Sequence, residues 1–154
     1  MGVALLGSGC VTFGGREGLP SHVESISIPM FRNHSMEYGA EEVVTQAVVG
    51  EFQRDGRLRL VDSDQADVVL YGTIARYDIR PSSFDRRDRV TVSHVSAMLE
   101  VSVLDSESGD YLMQGERFSG SGSFFLTAQP TARRERDVLT RIANDIVSRV
   151  VEGW

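Results

Sequence analysis

The feature of the sequence that most constrains its fold is an apolar stripe in residues 133–152. Eight aliphatic side chains stand there as four adjacent pairs, each pair four residues after the one before: Val138, Leu139, Ile142, Ala143, Ile146, Val147, Val150 and Val151. This spacing predicts an amphipathic α-helix. Each large side chain gains about 1.5–3 kcal/mol on full burial, so a helix left undocked would forfeit an amount comparable to the net stability of a whole domain. The helix must therefore pack on another element.

A second helix is predicted over residues 41–55. Glu41 and Glu42 stand in its first turn, where they interact favourably with the helix dipole, and Asp55 with Gly56 supplies a stop at its C-terminal end. Its apolar side chains recur at helical spacing: Val43, Val44, Ala47, Val48 and Phe52. This helix too has one face to bury.

Strands are indicated where apolar and polar residues alternate, in residues 23–29, 57–61, 68–79, 90–105 and 111–125. In the first segment, alternation sets Ile26, Ile28 and Met30 on one side, and Pro29 ends the strand because it lacks an amide donor. Residues 31–39 are polar and predict a loop. The turn-forming residues 106–110 predict an antiparallel hairpin between the last two strands.

The segment 68–79 is apolar on both faces at its start, which favours a central place in the sheet. Strict alternation puts Val69, Tyr71, Tyr77 and Ile79 on one face and Leu70 on the other. The pattern breaks at residues 80–89 and resumes at residue 90. From there the apolar side is Val95, Ala97, Leu99, Val101 and Val103, and the alternates include Ser96, Glu100 and Ser102.

Two one-faced helices and a sheet with a single strongly apolar side predict an α+β two-layer sandwich. We expect a mixed β-sheet of about four to five strands with both helices packed on one face. No internal repeat or second domain is visible in the sequence. Residues 1–10 are expected to be a lipoprotein signal remnant ending in its anchor cysteine, residues 11–21 a flexible tether, and residues 22–154 one domain.

The only cysteine, Cys10, follows an apolar and small-residue stretch and precedes a polar, glycine-rich segment. A bacterial lipoprotein signal places an apolar residue and two small residues before the cysteine that is lipidated. Here Gly7 occupies the usual leucine position, Leu6 lies one place too early, and no basic segment precedes them. Either the signal starts further upstream or the thiol is incidental to a disordered tail. The tether after Cys10 makes lipidation the expectation.

Composition excludes two broad classes of function. The formal charge of −6 argues against a general nucleic-acid binder, since such proteins neutralise phosphates with Lys and Arg. No apolar run approaches the roughly 20 residues needed to cross a bilayer, so the folded body is not expected to span a membrane.

No set of residues for catalysis or metal binding can be assembled from the sequence. The histidines lack the His/Cys/Asp/Glu spacing of a zinc or iron site, and the aspartates of residues 62–67 lack the Gly and Glu of a calcium loop. The glycine-rich segments lack a phosphate-binding pattern, and the serines lack a nucleophile elbow. We therefore expect no cofactor, no metal and no enzymatic activity.

Four arginines cluster within ten residues around an aromatic side chain: Arg80, Arg86, Arg87 and Arg89, with Phe84 among them. Guanidinium groups bind phosphate and carboxylate through two hydrogen bonds, and the aromatic ring could take an acyl chain or a side chain of a partner. The alternative is a solvated connection between strands, in which Asp85 and Asp88 neutralise half of the charge. The sequence leaves both interpretations open.

With these elements in place, the sequence resembles the LptE family of lipopolysaccharide-assembly lipoproteins over nearly its whole length. The resemblance is carried by the tether Cys10-Val11-Thr12-Phe13-Gly14-Gly15, by Leu19-Pro20 and the first strand through Asn33, by Glu51-Phe52-Gln53-Arg54-Asp55-Gly56-Arg57-Leu58, and by Ala66-Asp67-Val68-Val69-Leu70-Tyr71-Gly72-Thr73-Ile74. Val11-Thr12 departs from the usual Gly-Tyr after the cysteine.

The resemblance implies a lipoprotein on the periplasmic face of the outer membrane, held by an N-terminal lipid anchor. Such a protein plugs the LptD β-barrel, assists its assembly and helps to deliver lipopolysaccharide to the cell surface. Its partners would be LptD and lipopolysaccharide, with no nucleic acid. The arginines and Phe84 are then candidate contacts to either partner. Two rival hypotheses are a periplasmic scaffold that tethers or activates a cell-envelope enzyme, and an enzyme whose site is built from scattered polar residues.

Overall fold

The computed structural model of the protein describes residues 19–125 and 131–153. Six strands and two helices follow one another in this part of the chain: β1 (Ser25–Ser27), β2 (Arg32–Asn33), α1 (Ala40–Asp55), β3 (Arg59–Leu60), β4 (Val68–Phe84), β5 (Val90–Asp105), β6 (Tyr111–Phe125) and α2 (Thr131–Glu152). None of the helices in these ranges has the length and apolar character needed to span a membrane.

All six strands belong to one mixed sheet. Its order is β3-β1-β4-β5-β6, and β2 lies beside β4 next to β1. The short strands β1 and β2 run parallel to β4, whereas β4, β5 and β6 form an antiparallel meander. The two long hairpins result from the alternating segments and the turn residues 106–110, as predicted. The alternating segments predicted four to five strands, and β2 is the additional one.

Both helices cover the same face of the sheet, which confirms the predicted α+β sandwich. Helix α1 ends at Gly56, whose φ of 74° is the left-handed conformation that a glycine adopts readily. Helix α2 lies close to β6: a Cβ atom at Gly120 would approach the side chain of Ile142 to 2.8 Å, and one at Gly122 would approach Val138 equally closely. The glycines of β6 therefore admit the apolar stripe of α2.

The segment predicted as a loop, residues 31–39, contributes to the core. Phe31 is only 2% exposed, and its ring covers the α-carbon of Gly72 on the helix-bearing face. Its amide donates a hydrogen bond to Thr45 Oγ1 of α1 at 3.0 Å, and β2 follows at once. The loop prediction was wrong here because a two-residue strand is too short to show alternation, and Phe31 is buried by contacts distant in sequence.

The first strand is also shorter than predicted. Ile26 is fully buried, but Met30 is 60% exposed. The chain leaves the ladder after Ser27, so the alternation of residues 26, 28 and 30 does not continue as one strand. Met30 instead lies at the edge of the sheet, where its sulfur is 3.5 Å from the hydroxyl of Thr45 in α1 and its side chain lines one side of a cleft described below.

A bulge in β4 reverses the predicted facing of its second half. The register with β5 shifts between Ile74 and Arg76. Tyr77, which is 3% exposed, therefore lies on the helix side with Leu70, not on the side of Tyr71. One additional residue moves every later side chain to the other face.

Strand β4 extends to Phe84 and so includes part of the segment where the pattern was predicted to break. Pro81 is tolerated because no described strand pairs with the outer edge of β4 beyond Ile74 and because the ladder to β5 is irregular between Pro81 and Ser83. Proline has no amide N–H to donate, and at an unpaired edge no neighbouring strand requires that donor. The predicted connection, residues 80–89, is thus the end of a long hairpin.

Candidate functional site

The tip of the β4–β5 hairpin is held by one carboxylate. Asp85 Oδ1 accepts hydrogen bonds from the amides of Arg87 at 2.7 Å and Arg89 at 3.0 Å. Its other oxygen is 2.7 Å from the guanidinium of Arg89. Asp88 takes a left-handed conformation with φ of 55°, which closes the turn. The tip is therefore an ordered turn and not an irregular loop.

These contacts set the ionisation of Asp85. The hydrogen bond from the amide of Arg89, followed by those from its side chain and from the amide of Arg87, holds the pKa of Asp85 below its ordinary value. The carboxylate thus stays charged in its role as acceptor for the turn.

The structure brings most of the predicted site residues together at this tip. Phe84 is 59% exposed. The side chains of Arg86 and Arg87 are exposed and have no ion-pair partner among the described residues. Arg80 lies further back on β4, where its guanidinium is 3.3 Å from Asp78. The predicted lipidation site, Cys10, lies outside the described residues.

Charge is segregated between the two ends of the sheet. Four arginines and two aspartates give residues 80–89 a formal charge of +2, although the whole chain carries −6. The opposite end, where the chain enters β1, carries Arg59 beside Ser25 and seven carboxylates among the described residues: Glu24, Asp62, Asp64, Asp67, Asp105, Glu107 and Asp110. With 17 residues in β4 and about 3.3 Å per residue, the two ends are about 50 Å apart.

Two of these carboxylates fasten the start of β1. Asp67 Oδ2 accepts hydrogen bonds from the Ser25 hydroxyl at 2.7 Å and from the Glu24 amide at 2.9 Å, and these bonds, the hydroxyl first, lower its pKa. Burial alone would raise the pKa of Asp105, but hydrogen bonds from the amides of residues 108 and 107 and from His22, 2.9 Å away, hold it below its ordinary value. These contacts hold residues 22–25 against the ends of β4 and β5.

The face of the sheet that carries no described helix is here called the open face. Cross-strand partners form rows on it. One row contains Arg32, Thr73, Glu100 and Arg117 in strands β2, β4, β5 and β6. Towards the acidic end, Tyr71 stands opposite Ser102, and Leu104 stands opposite Tyr111. Towards the tip the rows are polar: Asp78, Ser96 and Ser121, then Arg80, His94 and Ser123.

A cleft of about 400 Å³ opens on this face, lined by Met30 and Arg32 on one side, Leu104 and Tyr111 on the other, and Tyr71. Tyr71 is 44% exposed and Tyr111 50%. This cleft was not predicted from the sequence. The polar alternates Glu100 and Ser102 were visible as a signal, but only the pairing of β4, β5 and β6 brings them beside the tyrosines.

Comparison with known families identifies the family of this chain. The family model LptE, described as lipopolysaccharide-assembly, matches residues 23–152. The chain belongs to the LptE family. This confirms the resemblance found in the sequence, and it assigns the chain to a family of lipopolysaccharide-assembly lipoproteins that are not enzymes. No curated protein matches the sequence of this LptE-family chain.

Solved structures share the fold of this LptE-family chain at low sequence identity. The PelC dodecamer from Paraburkholderia phytofirmans is 13% identical, with a TM-score of 0.54 over 88% of this chain and 94% of that chain. A hypothetical protein from Chlamydia trachomatis is 12% identical, with a TM-score of 0.59 over 83% and 95%. The uncharacterized lipoprotein B from Nitrosomonas europaea is 17% identical, with a TM-score of 0.54 over 98% and 91%.

Metal chemistry has no candidate site in residues 19–125 and 131–153, where no three His, Cys, Asp or Glu side chains are grouped as an ion would require. Two of the histidines each make a separate side-chain contact: His22 contacts Asp105, and His94 is 3.1 Å from the hydroxyl of Ser123. The described surface thus has three distinct regions: a basic tip, an open face with a cleft, and an acidic end.

Proposed function

We propose that this LptE-family chain is an outer-membrane lipoprotein, anchored through Cys10 on the periplasmic face, that plugs the LptD β-barrel and assists its assembly. In this proposal the arginine tip, defined as Arg86, Arg87 and Arg89 with Phe84, contacts lipopolysaccharide during its delivery to the cell surface. Arg80, behind the tip, is a secondary contact.

The observation that carries the proposal is the separation of charge along the hairpin. The chain enters the fold at the acidic end, so a lipid on Cys10 would hold that end near the membrane. The two guanidiniums without ion-pair partners then stand about 50 Å away, taking about 3.3 Å per residue. Guanidinium groups suit the phosphates of a glycolipid because they donate paired hydrogen bonds. The exposed ring of Phe84 adds an apolar contact beside them.

The LptD contact is supported by family membership and by the shape of the chain. A stiff sheet with one face packed by helices and the other open can fill a barrel lumen without rearranging its own core. The test is purification of an affinity-tagged full chain from a detergent extract. A large β-barrel protein in equal amount is expected. A cell-wall enzyme in its place would favour the scaffold hypothesis and contradict this one.

The lipopolysaccharide contact is tested by charge reversal at Arg86 and Arg87, whose loss leaves the Asp85 contacts of the turn intact. The matched control reverses Arg59 and Arg141, two exposed arginines on other elements. We expect R86E/R87E to weaken lipopolysaccharide binding by about tenfold or more, since charge-assisted hydrogen bonds are the strong ones. The control should stay within about twofold. Equal binding by both variants would remove this role from the tip.

The anchor is tested by the mass of the mature chain extracted from membranes. Acyl groups on Cys10 are the expected result, and the added mass should be absent from Cys10→Ala. An unmodified Cys10 in membrane-derived protein would contradict the anchoring step alone.

A further inference from the structure

The lining of the cleft on the open face includes both aromatic and charged side chains. Two half-exposed tyrosine rings, Tyr71 and Tyr111, stand beside a row of groups that donate and accept hydrogen bonds. In that row Glu100 Oε2 is 3.5 Å from Arg117 Nε, and Arg32 stands across Thr73 from Glu100. The cleft thus combines flat aromatic surfaces with paired polar groups.

We propose that this cleft is a saccharide subsite, which takes a neutral portion of the oligosaccharide carried by the glycolipid. A pyranose ring presents axial C–H bonds on one face, which pack against a tyrosine ring, and hydroxyl groups around its edge. Adjacent hydroxyls match an arginine fork and a carboxylate. At about 400 Å³ the cleft falls in the range of small-ligand pockets.

Other occupants fit the lining less well. An acyl chain would remove Arg32, Thr73 and Glu100 from water without replacing their hydrogen bonds, which is unfavourable for every polar group buried in this way. A protein partner would normally meet a surface whose centre is depleted of charge, whereas here a charged row crosses the face from β2 to β6. A sugar satisfies these groups with its own hydroxyls.

The subsite is distinct from the arginine tip. Glu100 and Val90 are ten residues apart on β5, so the cleft lies about 30 Å from the tip, taking about 3.3 Å per residue. Polar rows on the open face connect the two. The identity of the glycolipid rests on the proposed function, but binding in the cleft requires neither LptD nor the tip.

The test uses the full ¹⁵N-labelled chain in detergent micelles, titrated with core oligosaccharide that has been freed of lipid and phosphate. We expect saturable amide shifts around residues 71, 100, 102 and 111. Tyr71→Ala and Tyr111→Ala should each weaken binding about tenfold, and Tyr71→Phe, which keeps the ring, by less than threefold. Both tyrosines are about half exposed, so these variants should fold, which circular dichroism checks.

The controls are Phe84→Ala and R86E/R87E, which lie outside the cleft and should bind the oligosaccharide as the parent does. Absence of saturable shifts, or shifts confined to the tip, would overturn the proposal. Loss of barrel co-purification in the tyrosine variants, without saccharide binding by the parent, would overturn it in favour of a protein interface. Failure to recover any barrel partner, with the titration intact, would refute the LptD proposal and leave the subsite standing.

Discussion

Replacing Gly72 by alanine should destabilise the fold through one identifiable contact. A Cβ atom at this position would lie 2.0–2.3 Å from three atoms of the Phe31 ring. Residue 72 is paired in the middle of β4 with Val101 of β5, so the backbone cannot yield easily and the ring must move. Phe31 is 2% exposed.

The loss of unfolding free energy in G72A can be worked out from the burial that the Phe31 ring loses. A phenylalanine side chain that leaves its buried site loses about 1.5–3 kcal/mol of transfer free energy, and the cavity left behind adds to this. We expect G72A to lower the free energy of unfolding by about 2–4 kcal/mol, and Phe31→Ala alone by about 3–5 kcal/mol. Once the ring is absent, the methyl group introduced at position 72 has room, so the double variant should be about as stable as Phe31→Ala.

Urea unfolding followed by far-UV circular dichroism measures the four free energies of this double-mutant cycle. The coupling energy between positions 31 and 72 should be about 2 kcal/mol or more. Gly50→Ala is the matched control: nothing lies within 4 Å of its added Cβ atom, and an alanine inside α1 should stabilise by about 0.5–1 kcal/mol. Additive effects of G72A and Phe31→Ala, within about 0.5 kcal/mol, would refute the packing argument.

Three further predictions concern the helix layer and the two ends of the sheet. Ile142→Ala, at a side chain 1% exposed, should lower the free energy of unfolding in urea by about 2–5 kcal/mol, whereas Val43→Ala, at a side chain 38% exposed, should change it much less. Because the pKa of Asp85 is lowered in the folded state, its support of the turn is present above the ordinary carboxyl pKa and is lost as pH falls through the lower folded value. Protection of the tip amides against exchange should therefore fall only at acidic pH in the parent and be low at all pH values in Asp85→Ala; an unchanged protection profile in the variant would contradict this. Ser25→Ala removes the hydrogen bond that does most to lower the pKa of Asp67, so carbon NMR should find that pKa raised, and no movement would refute the assigned cause.

The candidate site was only partly accessible from sequence. The cluster of arginines was visible as composition, but the turn contacts of Asp85 that order it depend on backbone geometry. Asp88 in particular takes a positive φ that its residue type permits without requiring. The roles of these arginines and of Cys10 stay predictions that the experiments above test.

Local periodicity by itself determined the elements of this protein. The paired aliphatic residues of α2, the spacing in α1 with its Gly56 stop, and the long alternations of β5 and β6 specified two one-faced helices and a sheet, because each pattern repeats within the few residues that form it. From these the α+β class followed.

Tertiary structure alone decided which residues those elements bring together. Phe31 is buried because Gly72, more than forty residues away, leaves room for its ring. Tyr77 faces the helices because one bulge shifts the pairing of β4 with β5. The row from Arg32 to Arg117 exists only because four strands adopt one register. Register is a property of pairs of distant segments, and no local pattern in either segment encodes it.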